Sequence, residues 1–291
     1  MENLNKLRNF LYGTVIGNII VLVIILSFVY GLVFLVRKYN NPFLDSASSI
    51  SDSSDTTDEG CTVIGINLHG SLLTYIPEHA EGDTEFDYDV VGSENIVYSI
   101  NQANANPGIK AIVVEVDSSG GLPVAGEEIA FALKNSEKPT VAFIRSTGAS
   151  ASYLAISSVD KIFASKYSDV GSIGVTMSYL NNVAKNKKDG YAFEQLSAGK
   201  FKDSGSSDLP LTKEEKDLFM RDINIMYGDF IKEVSVNRNI PIEEVRKFAD
   251  GSTVLGEKAK ELKMIDEIGG FPEVEKYLEG IIGEKPSICW E

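Results

Sequence analysis

Three short segments rich in glycine and serine carry hydroxyl groups that could act as nucleophiles: residues 117–121 (DSSGG), 146–152 (STGASAS) and 170–174 (VGSIG). The first two directly follow predicted strands, and the carboxyl ends of parallel strands form the edge where ligands bind. Ser150 also begins a predicted helix, whose free N–H groups favour developing negative charge. Ser150 is therefore the first candidate nucleophile and Ser152 its rival, unless these small residues only allow helix and strand to pack closely.

A serine nucleophile needs a base to accept its proton. The sequence has two histidines, and neither His69 at the end of a predicted strand nor His79 in an acidic loop lies in a glycine-rich turn. A lysine can replace histidine if its amine is neutral, which from a reference pKa of about 10.4 requires burial and neighbouring dipoles worth about 4 kcal/mol. Lys200 and Lys202, beside a short polar segment, are both candidates on spacing alone.

The elements that must position these residues alternate between strands and helices. Short runs rich in valine and isoleucine predict strands at residues 63–68, 111–116 and 140–144. Helical patterns are predicted at residues 93–105, 123–135, 150–157, from 212 onward, from 241 to before 251, 256–263 and 272–277. Strands that alternate with helices imply parallel pairing with right-handed crossovers, so the predicted fold class is α/β.

Composition excludes several functional classes. The chain has 291 residues, 43% of them hydrophobic, and a formal net charge of -15. This charge would repel a phosphate backbone, so no nucleic-acid partner is predicted. Two histidines and two cysteines cannot supply a zinc cluster, and we predict neither a metal nor a cofactor. Cys61 and Cys289 could form one bridge or remain two unpaired residues.

The amino-terminal part predicts a membrane anchor. Residues 10–36 form a run of 27 residues without a formal charge, long enough to span a bilayer as a helix. Residues 39–60 are rich in serine and acidic residues, which predicts a flexible linker. The expected organisation is a cytoplasmic stub and transmembrane helix at 1–38, the linker at 39–60 and one domain at 61–291.

Over about residues 62–275 the sequence resembles the SppA family of signal peptide peptidases. Segment 116–121 (VDSSGG) is similar to the family's strand followed by S-P-G-G, and 148–154 (GASASYL) to its A-A-S-G-G-Y-Y, whose serine is the nucleophile. Segment 170–175 (VGSIGV) is similar to T-G-S-I-G-V, 199–202 (GKFK) to G-x-Y-K, whose lysine is the base, and 251–270 to the family's closing G-x-x-x-x-G-x-x-A-x-x-x-G-L-V-D-x-x-G-G.

The resemblance implies a Clp/crotonase-like fold, with a parallel sheet and flanking helices, and a Ser-Lys dyad. It assigns Ser150 as the nucleophile and Lys202 as the base, and Ser172 as the residue that holds the lysine amine. We expect the backbone N–H groups of Gly121 and Ala151 to form the oxyanion hole.

The sequence departs from the family pattern around the nucleophile. Ser119 replaces proline, Ala151 and Ser152 replace two glycines, and Leu154 replaces the second tyrosine. Side chains at the two former glycine positions would strain the backbone if those positions require positive φ. We therefore expect the oxyanion hole and the substrate pocket to differ most from the family.

The function that the resemblance implies is that of a membrane-anchored serine endopeptidase. Its expected substrates are signal peptide remnants or other short apolar peptides, and its expected assembly is a homo-oligomeric ring with active sites at subunit interfaces. The peptidase domain would lie outside the cytoplasmic membrane. The alternatives are a catalytically inactive crotonase-like scaffold and an acyl-CoA enzyme of the same fold. We also expect that the apolar tail at 288–290 could reach a neighbour's groove.

Overall fold

The computed structural model describes residues 60–76 and 89–291. The predicted membrane helix, the linker up to residue 59 and His79 lie outside these residues. Within residues 60–76 and 89–291, none of the helices combines the length and the apolar character that crossing a bilayer requires.

A mostly parallel sheet forms the centre of the described domain. Its strands are β1 (Val63–Leu73), β2 (Val90–Gly92), β3 (Ala111–Gly121), β4 (Thr140–Ala149), β5 (Lys161–Ala164), β6 (Asp169–Gly171), β7 (Thr253–Leu255), β8 (Glu267–Ile268) and β9 (Ile288–Trp290). The main order is β2-β1-β3-β4-β5-β8, with β9 paired to the start of β1 and β6 to the end of β4. Of the recorded pairs, β6 with β7 is antiparallel and the others are parallel.

Helices cover both faces of the sheet. They are α1 (Ser93–Ala105), α2 (Pro123–Lys134), α3 (Ala151–Ile156), α4 (Val183–Lys188), α5 (Lys213–Asn237), α6 (Ile242–Phe248), α7 (Gly256–Glu261) and α8 (Phe271–Ile282). Strand–helix alternation from β2 to β5 agrees with the predicted α/β class. The arrangement supplies the parallel sheet whose carboxyl edge was expected to carry the site.

Alternating strand residues build two apolar layers. Residues such as Ile66 and Val114 point to one face, where they pack with helices α1, α2 and α3 in the larger core cluster. Their neighbours Val63 and Val113 point to the opposite face and pack against α8. Both faces are buried, which explains why these strands read as continuous apolar runs in the sequence.

The three predicted strands are present, but each continues into its glycine- and serine-rich end. The sequence predicted turns there, whereas Ser118 pairs with Gly148 across β3 and β4, and Leu72 pairs with Gly121 across β1 and β3. The ladders shift register just before these pairs. Small residues permit such close backbone approach, since a Cβ on Gly121 would lie 2.0 Å from the Leu72 carbonyl oxygen.

Helix α5 begins where the sequence predicted. Thr212 accepts a hydrogen bond from the Glu215 amide, and the Glu215 carboxylate accepts one from the Thr212 amide, which together form a capping box. Only Phe230, Ile231 and Val234 of this 25-residue helix are buried. The apolar face of its first half therefore remains open.

The carboxyl-terminal strand β9 lies on the first strand of the same chain. Cys289 forms a disulfide with Cys61, with a Cα–Cα distance of 5.8 Å, and the Trp290 side chain lies against Gly65. Of the two possibilities that the sequence left open, the cysteines are paired. The tail at 288–290 was expected to reach a neighbour's groove, and it instead completes its own sheet because its backbone pairs with β1.

Candidate active site

Ser150 occupies a strained turn between β4 and α3. Its backbone has φ 55° and ψ -127°, a conformation that L-residues rarely adopt. The Ser150 amide donates to the Gly171 carbonyl at 2.7 Å, and its carbonyl accepts from Leu154 at 3.0 Å. Although Ser150 is the N-cap residue of α3, its side chain makes no capping hydrogen bond. The hydroxyl is therefore available for chemistry.

Four of the five predicted site residues line one cavity of about 940 Å³: Gly121, Ser150, Ala151 and Ser172. The cavity lies between helices α2, α3 and α5 at the carboxyl ends of β3, β4 and β6. Ala151 is the first residue of α3, so its N–H has no partner within the helix. A serine hydroxyl beside such a donor is an arrangement that can stabilise an oxyanion.

Gly120 brings the carboxyl end of β3 close to the nucleophile. It has φ +105°, and a Cβ added there would lie 2.7 Å from the Ser150 Cβ and 2.9 Å from the Ala151 nitrogen. Both its backbone conformation and the available space therefore require glycine. This close approach places the neighbouring Gly121 on the cavity wall.

Ser172 stands beside Ser150 at the end of the adjacent strand. It too has positive φ, at 49°. Its hydroxyl donates to the Gly251 carbonyl at 3.0 Å, and its amide donates to the Ser252 carbonyl at 2.9 Å. The donated bond leaves the lone pairs of the hydroxyl oxygen free to accept from an amine.

The two replaced glycines cause no strain. Ala151 and Ser152 are the first two residues of helix α3, and the positive φ of this turn falls on Ser150 itself. Ser152 is fully buried and its hydroxyl is engaged with the Ala149 backbone and the Ser118 carbonyl. These contacts argue against Ser152 as the nucleophile.

Lys202 does not line the cavity that holds Ser150. It is exposed and lies in a turn whose backbone closes with a bond from the Lys202 amide to the Gly199 carbonyl at 3.1 Å. Lys200, the alternative, forms an ion pair of 2.6 Å with Glu214. Within the described residues of one chain, Ser150 and the predicted base therefore do not line the same cavity.

His69 belongs to a separate cluster. Its Nε2 lies 3.2 Å from Glu115 Oε1, and Arg145 Nη1 contacts the same oxygen at 3.0 Å. His69 and Arg145 border a second cavity of about 470 Å³, which includes Asp117 but not Ser150. His69 is therefore not the base for Ser150 in this chain.

The sequence did not predict the outer wall of the larger cavity. Tyr227 and Phe230 of α5 line it together with Asp250, and Gly251 supplies the carbonyl that accepts from Ser172. The α5 residues read in the sequence as the apolar side of a helix, which is usually covered by core. Hydrogen bonds from the Ser252 hydroxyl and the Ser252 amide lower the pKa of the Asp250 carboxyl.

The parallel sheet, its flanking helices and a serine on a strained strand-to-helix turn define a Clp/crotonase-like α/β protein. The chain belongs to Peptidase family S49, within its SppA-like group, and the family profile matches residues 132–280.

The relatives include proteins named as proteases in three organisms. A candidate protease of Methanocaldococcus jannaschii is 33% identical over 69% of this chain and 66% of its own length. Protease 4 of Haemophilus influenzae is 27% identical over 76% of this chain and 35% of its length. The chloroplastic serine protease SPPA of Arabidopsis thaliana is 26% identical over 62% and 27%. This chain therefore spans at most about two thirds of these relatives.

Among solved structures, a ClpP1 mutant from Listeria monocytogenes superposes with a TM-score of 0.45 and 13% sequence identity. The match covers 70% of this chain and 90% of that one.

Proposed function

We propose that the protein is a serine endopeptidase in which Ser150 attacks the peptide carbonyl and Lys202 accepts its proton. The observation that carries this proposal is the position of Ser150, whose uncapped hydroxyl faces a large cavity from a strained turn. The oxyanion would bind the N–H groups of Gly121 and Ala151. Lys202 would then return a proton to the leaving amine, and water would release the acyl group.

Lys202 would reach Ser150 from a second copy of the chain. A lysine base must be neutral, and an exposed amine in water is not. Burial against a neighbour would supply both the missing contact with Ser150 and the dry surroundings that a neutral amine requires. Ser172, with its free lone pairs beside Ser150, would accept a hydrogen bond from the incoming amine.

The segment that carries Lys202 has the character of an interface. Residues 175–211 contain one short helix, α4, and expose several large apolar side chains, namely Met177, Leu180, Tyr191, Phe193, Leu196 and Phe201. Leu196 is 95% exposed. A segment that exposes this many large apolar side chains is typical of surfaces that bind another protein. The proposed assembly is a homo-oligomeric ring, which a head-to-tail contact forms when its rotation closes.

Short apolar peptides, such as signal peptide remnants, are the proposed substrates. Apolar side chains of α2, α3 and α5 line the cavity beside Ser150, including Val124, Leu154, Tyr227 and Phe230. Such walls favour an apolar side chain next to the scissile bond.

We further propose that residues 1–38 anchor the enzyme and that its peptidase domain lies outside the cytoplasmic membrane. The Cys61–Cys289 disulfide supports this location, because disulfides persist in oxidising compartments.

The first test is hydrolysis of a fluorogenic apolar peptide by the detergent-solubilised full chain. Ser150→Ala and Lys202→Ala should each lower kcat at least about a thousandfold. Two neighbours provide matched controls: Ser146→Ala, which removes an exposed hydroxyl four residues before Ser150, and Lys200→Ala, which removes the other lysine of the turn. Full activity in either dyad variant would exclude that residue from the mechanism.

Mixing the two inactive variants tests whether the site is shared. If Lys202 acts on the neighbouring chain, co-assembled Ser150→Ala and Lys202→Ala subunits contain both intact residues at about a quarter of randomly formed interfaces. Activity should then reappear in the mixture. A mixture that assembles and stays inactive would contradict a shared site.

The separation of Lys202 from the cavity also favours one other function, a catalytically silent scaffold that assembles partners. A serine-reactive fluorophosphonate distinguishes the two. The peptidase reacts at Ser150 and loses labelling in Ser150→Ala, whereas the scaffold is not labelled in its assembled form.

A further inference from the structure

Ser152 holds the nucleophile turn with a hydroxyl that is fully buried. The Ser152 Oγ accepts a hydrogen bond from the Ala149 amide at 2.9 Å, and its proton faces the carbonyls of Ala149 at 2.7 Å and Ser118 at 2.8 Å. Its partners therefore lie on β4 immediately before Ser150 and on β3. One side chain ties two strand ends together beside the reactive group.

The helix that follows Ser150 begins without the usual side-chain cap. A serine at the N-cap position normally uses its hydroxyl to satisfy the first amides of the helix. Ser150 occupies that position and makes no such bond, while Ser152 closes the turn from Ala149 to itself. The division of roles leaves the Ser150 hydroxyl unbonded although its backbone is strained.

The same network extends to the loop that approaches Ser150. The Ser118 side chain, 2% exposed, donates to the Gly70 carbonyl at 2.6 Å and accepts from the Gly120 amide at 3.1 Å. Gly120 packs on the Ser150 Cβ. Ser152 and Ser118 thus connect the ends of β1, β3 and β4 around the reacting position.

We infer that Ser152 is a positioning residue that fixes the Ser150 hydroxyl and the neighbouring oxyanion donors in their reactive arrangement. The inference rests on the proposed function, since it concerns the same site. Removal of the hydroxyl leaves the buried Ala149 amide without its partner, and the turn relaxes to satisfy it. A small displacement of a nucleophile can lower its rate by up to about a hundredfold.

Ser157 is a matched control on the same helix. It is also fully buried, and its hydroxyl donates to the Leu154 carbonyl at 2.8 Å and accepts from Asn237 Nδ2 at 3.0 Å. Ser157→Ala therefore removes an equally buried hydroxyl at the other end of α3. It reports the loss of stability that any such change causes, without touching the turn.

The experiment compares wild type, Ser152→Ala, Ser152→Cys and Ser157→Ala in the full-length assembled protein, each measured well below its unfolding temperature. The readouts are kcat and KM for the apolar peptide and the second-order rate of Ser150 labelling by a fluorophosphonate. We expect Ser152→Ala to lower kcat and the labelling rate at least about tenfold with KM within about twofold. Ser152→Cys, which keeps a weak donor and acceptor, should recover part of the labelling rate.

The outcomes separate this inference from the proposed function. Equal labelling and kcat in Ser152→Ala and Ser157→Ala would overturn the positioning role while leaving Ser150 as the nucleophile. Unlabelled wild type would overturn the proposed function first. If Ser152→Ala does not fold, the comparison of Ser152→Cys with wild type decides, and an unchanged labelling rate in that variant counts against the inference.

Discussion

The Ser150 amide donates a hydrogen bond of 2.7 Å to the Gly171 carbonyl, which joins the ends of β4 and β6. Each of these strand ends leads into a serine with positive φ, Ser150 on one and Ser172 on the other. Two hydroxyls therefore line the same cavity from adjacent strands.

The position of Ser172 predicts a change in rate without a change in stability. Ser172→Ala should lower kcat about tenfold or more because the proposed lysine amine loses an acceptor. Its hydroxyl bond to the Gly251 carbonyl is exposed, so the free energy of unfolding should change by less than about 0.5 kcal/mol. Peptide hydrolysis and thermal unfolding measure the two effects.

Ser252→Ala is the control for Ser172. Its exposed hydroxyl bonds the Asp250 carboxylate at 2.6 Å on the same turn. Equal kcat values in the two variants would remove Ser172 from the site.

Gly120→Ala is expected to abolish peptide hydrolysis. The added methyl group would lie 2.7 Å from the Ser150 Cβ, at a residue whose φ of +105° already disfavours a side chain. Activity per folded molecule should fall at least about a hundredfold because the nucleophile must move. Circular dichroism checks that the variant is folded.

Gly228→Ala is the control for Gly120→Ala, and it should change stability without changing the rate of hydrolysis. Gly228 lies in α5 with no atom within 4 Å of the new methyl, so alanine should raise the unfolding free energy by up to about 1 kcal/mol and leave the rate unchanged. Normal turnover by Gly120→Ala would show that the end of β3 tolerates displacement from Ser150.

Reduction of the Cys61–Cys289 disulfide is expected to destabilise the domain. The bond joins residues 228 positions apart, and loss of a native bridge typically costs about 2–5 kcal/mol. The unfolding temperature should fall by roughly 5–15 °C in reductant. The Cys61→Ser, Cys289→Ser double variant should match the reduced protein and no longer respond to reductant. An unchanged wild-type unfolding temperature in reductant would mean that the bridge adds no stability beyond the pairing of β9 with β1.

Tyr153 should make the protein less stable at alkaline pH. Burial raises the pKa of its phenol above the ordinary value, and its hydroxyl donates to the Met264 carbonyl at 3.0 Å. The unfolded chain loses this proton from about pH 10 while the folded chain keeps it, so the unfolding free energy falls as pH rises through that value. The contribution of one proton is at most about 1.4 kcal/mol per pH unit.

Tyr153→Phe tests this dependence. The variant loses a hydrogen bond worth about 1 kcal/mol at neutral pH, but its stability should decline less steeply above pH 10 because phenylalanine does not ionise. Urea unfolding between pH 8 and 11 measures the slopes. Tyr98→Phe, at a 65% exposed position, should keep the wild-type slope. A wild-type slope in Tyr153→Phe would show that ionisation of Tyr153 does not cause the loss of stability at alkaline pH.

Sequence patterns predicted most of the central domain because its long strands and helices carry strong local signals. The strands around Val63 and Val113 are apolar on both faces, and helix α1 lies at the predicted residues 93–105. Strands β2 and β5 to β9 were missed because each has only two to four residues and forms through partners distant in sequence. Their formation depends on the tertiary structure.

The position of the site was predictable in part, because it follows from where the predicted strands end. Ser150, Ser172 and Gly121 follow strand ends, so their convergence on one edge follows from parallel topology. The role of Ser152 could not be predicted, because its partner Ser118 lies 34 residues away and the contact involves a backbone carbonyl. The role of Lys202 as the base remains a prediction, since Lys202 does not line the cavity of its own chain that holds Ser150.

The parallel sheet gives the domain two unlike ends. The chain enters at Cys61, where the bridge to Cys289 fastens both ends of the domain, and Ser150 lies where the strands finish. Strand β1 from Val63 to Leu72 alone covers about 30 Å of that distance. The residue at which the chain enters the domain and the mouth of the cavity therefore lie at opposite ends of the sheet.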